Sequence, residues 1–173
     1  MCAMARFGPD TARCEVFTRR EGVLSAVGHD LKLRTEKFEI EADASSVRAR
    51  FDPASLRVAA AMRGGREEPA ALSERDRRDI ERSCAREVLE SHRFPEITFT
   101  SSEVRPGTVR GTLSLHGREL TGEFAIERVQ GRAVAEVDID VRRFGIRPFT
   151  AMLGALRVSP MVRVVVTTPW PDV

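Results

Sequence analysis

The chain has 173 residues, 42% hydrophobic and 31% charged, enough for one domain with a sizeable core and too few for two. Lys and Arg number 28 against 26 for Asp and Glu, so net charge gives no reason to expect nucleic acid as a partner. Cys2, Cys14 and Cys84 have no metal-ligand spacing and read as thiols of a reducing cytoplasm, while no signal-like N-terminus and no membrane-length apolar window is seen.

In chain order the pattern is mostly that of strands. Cys14, Val16 and Thr18 alternate with Arg13, Glu15 and Phe17, a first strand with Phe17 on its polar side. Gly22 and Gly28 bracket Val23, Leu24, Ala26 and Val27, an apolar turn, and Leu31 and Leu33 mark a short second strand after His29 and Asp30. Phe38, Ile40 and Ala42 alternate with Glu39, Glu41 and Asp43; Val47, Ala49 and Phe51 alternate with Arg48 and Arg50. These two runs form an antiparallel pair in which Glu and Arg face each other on the outside. Asp52-Pro53 turns the chain into a fifth strand at Leu56, Val58 and Ala60. Arg63 to Pro69, with two glycines and a proline, reads as a mobile loop.

Ser73 with Asp76 three places on is an N-cap box, and Ile80, Cys84 and Val88 recur every fourth residue as the apolar stripe of one helix. His92, Arg93 and Pro95 end it. The period then becomes two, with Ile97, Phe99 and Ser101 sharing a face. After a turn at Pro106-Gly107, three runs follow: Val109, Gly111, Leu113 and Leu115; Leu120, Phe124 and Ile126; and Ala133, Ala135, Val137, Ile139 and Val141. His116-Gly117-Arg118 and Gln130-Gly131-Arg132 separate them at hairpin length, each with a glycine for the turn. Phe144-Gly145-Ile146 and Pro148 interrupt the ladder, and Thr150 to Leu156 is expected to form a short helical turn carrying Met152, Leu153 and Leu156. Val162, Val164 and Val166 form a last strand placed to pair with the first.

About eight to ten antiparallel strands with one apolar face cannot leave that face in water, and short connections favour closure into a barrel. Residues 1–173 form one domain with its core at about 14–168. A barrel of about eight strands has room for its own side chains or for one small ligand. The small residues Ala49, Gly111, Ala133 and Ala135 among Phe51, Phe99, Leu113 and Phe124 either leave a channel or make room for large neighbours.

Chemistry-bearing groups are sparse. Ser25, His29 and Asp30 lie close in sequence, but Ser25 has no nucleophile elbow, and neighbouring residues on a strand point to opposite faces. His29, His92 and His116 lack metal-type spacing. Arg75 to Arg78 and Arg142-Arg143, with acids close by, read as solvated faces. No catalytic residue, metal or cofactor is expected.

Four ordered blocks carry a resemblance: Ser25 to Asp30, Phe94-Pro95-Glu96-Ile97-Thr98-Phe99, Gly111-Thr112-Leu113-Ser114-Leu115-His116-Gly117, and Phe144-Gly145-Ile146. Together they resemble the YceI-like family over about Cys14 to Thr168, with departures at Lys37, Val88-Leu89 and Arg147-Pro148. The resemblance implies an all-β, lipocalin-like antiparallel barrel of about eight strands with one amphipathic helix and a short helical turn, and a polyisoprenoid held in an apolar pore.

The function expected is therefore a non-enzymatic binding or carrier protein for a long-chain isoprenoid or fatty lipid. Its contacts would be Phe38, Ile40, Phe51, Val88, Ile97, Phe99, Leu113, Leu115, Phe124, Ile126, Val137, Ile139, Phe144, Met152 and Leu156, with His29 as a polar contact at one end. The alternative is a filled barrel acting through its outer surface as an interaction or stress-related module. An edge strand or the exposed helix offers a route to a homodimer.

Overall fold

A computed structural model of the chain describes residues 4–22, 28–151 and 154–169. Before the α-helix come β1 (Ala5–Phe7), β2 (Arg13–Thr18), β3 (Arg20–Glu21), β4 (Asp30–Thr35), β5 (Phe38–Ala42), β6 (Val47–Phe51), β7 (Leu56–Arg63) and β8 (Arg66–Glu68). The helix, α1 (Glu74–Ser83), is followed by β9 (Ile97–Arg105), β10 (Thr108–Leu115), β11 (Arg118–Ala125), β12 (Glu127–Val129) and β13 (Arg132–Asp140). Last are β14 (Thr150–Ala151), β15 (Leu156–Val158) and β16 (Met161–Pro169).

The strands fall into a six-stranded sheet, β1-β5-β6-β9-β10-β11, a seven-stranded sheet, β12-β13-β16-β2-β4-β7-β8, and a small one, β14-β15-β3. Taken separately, the two large sheets are open. Three bent strands join them, because β4 runs on into β5, β6 into β7 and β11 into β12. At the first two bends Glu36 N donates to Ser55 O at 3.2 Å and Asp52 N to Lys37 O at 3.0 Å, which carries the ladder across the corner. The antiparallel ladders therefore make a circuit: β2, β4/β5, β6/β7, β9, β10, β11/β12, β13, β16 and back to β2. The C-terminal strand does pair with the first run, with Val166 opposite Cys14.

The turns have the backbone that hairpins demand. His116-Gly117 and Gln130-Gly131 both hold positive φ at both positions, the twist-matched two-residue geometry. Arg63 to Pro69 is not a loose loop. Met62 pairs with Glu67 and Arg63 with Arg66 across a turn at Gly64-Gly65, whose φ values of 55° and 78° suit glycine. Thr150–Ala151 pairs with Leu156–Val158, so the ends of that stretch are strand, and the helical turn expected within it falls partly outside the described residues. The apolar turn at 23–27 lies outside them as well.

Ser73 and Asp76 form the expected capping box: Ser73 Oγ accepts from Asp76 N at 3.1 Å and Asp76 Oδ2 from Ser73 N at 3.0 Å. The α-helix is shorter than the stripe. Past Ser83 it widens into a π-type turn over Cys84–Val88, with Leu89 N donating to Cys84 O, and Glu90 at φ 45° stops it. Side chains of α1 take up main-chain groups of β7: Val58 N donates to Glu81 Oε1 at 2.9 Å, and Arg77 Nη1 donates to Val58 O at 3.1 Å.

On the outside, Glu39 stands opposite Arg50 and Glu41 opposite Arg48. Lys32 reaches Glu15 and Glu67 at 2.8 and 2.7 Å. Burial pulls that ammonium toward neutrality, but the two carboxylates outweigh it and its pKa is raised.

Candidate functional site

The inward faces of the circuit do not meet. Between them lies a cavity of about 1100 Å³, walled almost wholly by apolar side chains from both large sheets, α1 and the π-type turn. That size is at or slightly beyond the upper end of ordinary small-ligand sites, roughly 300–1,000 Å³. Leu113, Phe124, Val137, Ile139, Val162 and Val164 point inward yet are only half buried, because their tips face open space. Among the described residues no large side chain is fully buried. Packed clusters exist at two places in the wall. One is Phe7, Ala12, Ile40 and Ala49; the other is Leu115, Phe144 and Ile146.

The two halves of the wall differ in relief. In the six-stranded sheet Gly111 faces Gly122, and the Phe99 ring lies so close over Gly111 that an added Cβ there would sit 2.5 Å from its Cζ. Phe99 meets Phe124 edge-on at 5.6 Å. Gly111 thus makes room for an aromatic ring and opens no channel. In the seven-stranded sheet the inward positions of β13 and β16 are Ala133, Ala135, Thr168, Ile139 and a run of valines, and there the short side chains do leave space.

Of the residues expected at the site, Ile40, Phe51, Val88, Ile97, Phe99, Leu113, Leu115, Phe124, Ile126, Val137, Ile139, Leu156 and His29 line this cavity. Two do not. Phe38 stands directly opposite Phe51, stacks on it at 5.7 Å and packs on the cluster around Phe7. Phe144 is buried behind Leu115 and Ile146, at the base of a separate polar cleft. Met152 lies outside the described residues, as does Ser25. The sequence reading also omitted wall residues. Val104 enters because a bulge between Ser101 and Glu103 reverses the parity of β9, and Cys84 and Ile80 enter from the helix stripe.

Both described cysteines border the cavity. Burial pushes Cys14 from 9.0 to about 11, against a lowering bond to Thr35, and pushes Cys84 to about 11 with help from Glu81. Such thiols are protonated and unreactive at neutral pH. His29 borders the cavity and lies near Asp76 of α1, whose carboxyl is held low chiefly by the Ser73 hydroxyl. His116 is remote from it. Its Nε2 lies 2.8 Å from Glu90 and its Nδ1 3.2 Å from the Phe144 carbonyl, while its ring packs on Phe94 at 4.3 Å. It pins the β10–β11 turn to the end of the helix. Among the described residues no cluster of His, Cys, Asp or Glu is arranged to hold a metal ion, and no helix is long and apolar enough to cross a membrane.

A family model described as the YceI-like domain matches residues 9–168. The structure is similar to that of a polyisoprenoid binding domain from Saccharophagus degradans implicated in plant cell wall breakdown, at 12% identity and a TM-score of 0.60, over 98% of this chain and all of that one. It is similar also to Burkholderia cenocepacia BcnA, at 14% identity and 0.57 over 90% and 94% of the chains. A Campylobacter jejuni YceI protein matches at 11% and 0.54 over 83% and 85%. At these identities the likeness concerns the fold. No curated protein matches the chain.

Proposed function

The chain belongs to the YceI-like domain family, and from that premise we propose that it is a non-enzymatic carrier holding a long apolar amphiphile, a polyisoprenoid or a fatty lipid, inside its barrel. The observation that carries this reading is the cavity of about 1100 Å³ with half-buried apolar walls. At about 30 Å³ for a water-sized group, such a space takes on the order of 30 carbon-sized groups. Each five-carbon unit buried contributes on the order of 3 kcal/mol, before the cost of ordering the chain. A few units give tight binding without any hydrogen bond. His29, Arg20 and Thr18 supply the polar border against which the head of an amphiphile would stop. The kinship with a protein described as polyisoprenoid binding supports the isoprenoid class. Free Cys14 and Cys84 fit a reducing cytoplasm.

The test is denaturing extraction of the purified protein followed by mass spectrometry of the organic phase. A stoichiometric long-chain lipid is the expected result. A blank, repeated after incubation with membrane extract, would overturn the reading.

A further inference from the structure

One lip of the cavity is built from four short segments, at Arg19, Val141, Phe149 and Val158–Pro160, that hydrogen-bond to one another. Val158 N donates to Phe149 O, Ser159 N to Arg19 O and Val141 N to Pro160 O. On this lip sit Phe149 and Met161, two of the four large hydrophobics exposed among the described residues, at 39% and 44%. Phe149 also borders the cavity, so an apolar ring stands at the entrance with its outer side in water.

Around these two side chains the lip carries Arg19, Arg20, Arg142, Arg143, Arg147 and Arg157 against Glu21, Asp30 and Asp140, and beyond Met161 Arg163 is held by Asp138 and Glu136. Asp140 is taken by Arg142 at 2.8 Å, Glu21 lies 3.6 Å from Arg157, and Asp30 3.9 Å from Arg20. Arg19, Arg143 and Arg147 are exposed and form no ion pair within 4 Å among the described residues, though Arg143 helps hold the Asp140 carboxyl low from farther off. The lip formed by α1 is mixed, with Asp76 and Asp79 among Arg75, Arg78 and Arg82, and farther round Arg93, Arg118 and Arg147 share a polar cleft with Glu87 and Glu90, so Arg147 stands between that cleft and the lip. The positive excess is thus local to the side that holds the exposed apolar pair. Arg142 and Arg143 are solvated with Asp140 close by, as the sequence suggested.

We propose that this lip is a docking surface for a bilayer containing anionic lipid, with Phe149 and Met161 entering the interface and the exposed arginines meeting phosphate. An apolar pair ringed by arginines is the composition that binds such interfaces. The role assigned to docking, loading the cavity directly from the bilayer, rests on the carrier reading. A ligand this apolar then never crosses water.

Co-sedimentation of the full chain with vesicles tests it. Vesicles of phosphatidylcholine with one-third phosphatidylglycerol should retain the protein at low salt and release it as salt rises, while phosphatidylcholine alone should not retain it. Arg143→Glu with Arg147→Glu should weaken retention by at least about tenfold, given roughly fivefold per arginine at an anionic surface. A matched reversal on the six-stranded sheet, Arg48→Glu with Arg110→Glu, should not. Phe149→Ser should lower retention at every salt concentration. Failure of the wild-type chain to sediment with anionic vesicles, or undiminished sedimentation of the lip reversal, overturns the proposal. A protein that docks but yields no lipid on extraction would refute the carrier reading and leave the docking surface standing.

Discussion

Ala135→Phe tests the cavity most directly. Ala135 lies mid-strand on β13, opposite Val166 of β16, and its methyl group borders open space. A phenyl group there enters the cavity from the side walled by short residues and occupies about the room of one five-carbon unit. Displacing that unit removes on the order of 3 kcal/mol of transfer free energy, which weakens Kd by about two orders of magnitude. Overpacking a filled core instead costs about 1–3 kcal/mol of stability, whereas filling a void costs nothing and recovers contacts. Titration with a fluorescent long-chain lipid should therefore show the loss of affinity while the urea midpoint holds or rises. Unchanged affinity in a folded Ala135→Phe protein would refute the placement of the ligand. A midpoint lowered by more than about 1 kcal/mol of stability would refute the void.

Leu113→Arg should abolish lipid uptake, because a charge in the apolar wall must be desolvated when the ligand enters; Arg110→Ala on the outer face of the same strand should leave uptake unchanged. Gly111→Val should cost about 1–3 kcal/mol in urea melts, since its Cβ would stand 2.5 Å from both the Phe99 ring and the Thr100 carbonyl. Ser73→Ala removes the N-cap of α1 and should lower stability by about 1 kcal/mol, read as a fall in Tm. Cys14 and Cys84 have folded pKa values near 11 against 9.0, so the folded state binds their protons more tightly. Their contribution is full below pH 9 and lost as pH climbs to 11, on the order of 2 kcal/mol each. Urea midpoints should fall across that window, and less so in Cys14→Ala and Cys84→Ala variants.

The strands were legible because period-two alternation survives wherever one face is buried. The runs at Phe38–Ala42, Val47–Phe51 and Ala133–Val141 appear with the faces expected. Closure was legible too, since hairpin-length turns allow no crossover. What the sequence hid came from local departures that carry no periodic signal. The bulge at Ser102 turns Val104 inward, and Gly64-Gly65 makes a tight turn where glycine content suggested mobility. Phe38 has the same parity as Ile40, but it follows directly on the bend at Glu36-Lys37 and is spent stacking on Phe51. Phe144 follows the end of β13 in a 3-10 turn, so strand parity says nothing of its direction.

A closed barrel of ordinary side chains normally fills itself, so an open interior needs its stability from elsewhere. Three features supply it here. The ladder circuit satisfies main-chain groups around the wall, and the helix satisfies those of β7 that no strand reaches. Packed clusters at Phe7 and at Phe144 tie down the N-terminal strand and the turns around His116 and Gly145 without reaching the middle. Among the strands, aromatic side chains enter the cavity from the six-stranded sheet, where Gly111 and Gly122 lie against the rings, while β13 and β16 of the facing sheet present mostly Ala and Val, with Ile139 and Thr168. Exchanging that distribution, with aromatics on β13 and β16, would close the cavity at no loss of hydrophobicity. The short residues of β13 and β16 are thus what keeps the cavity open.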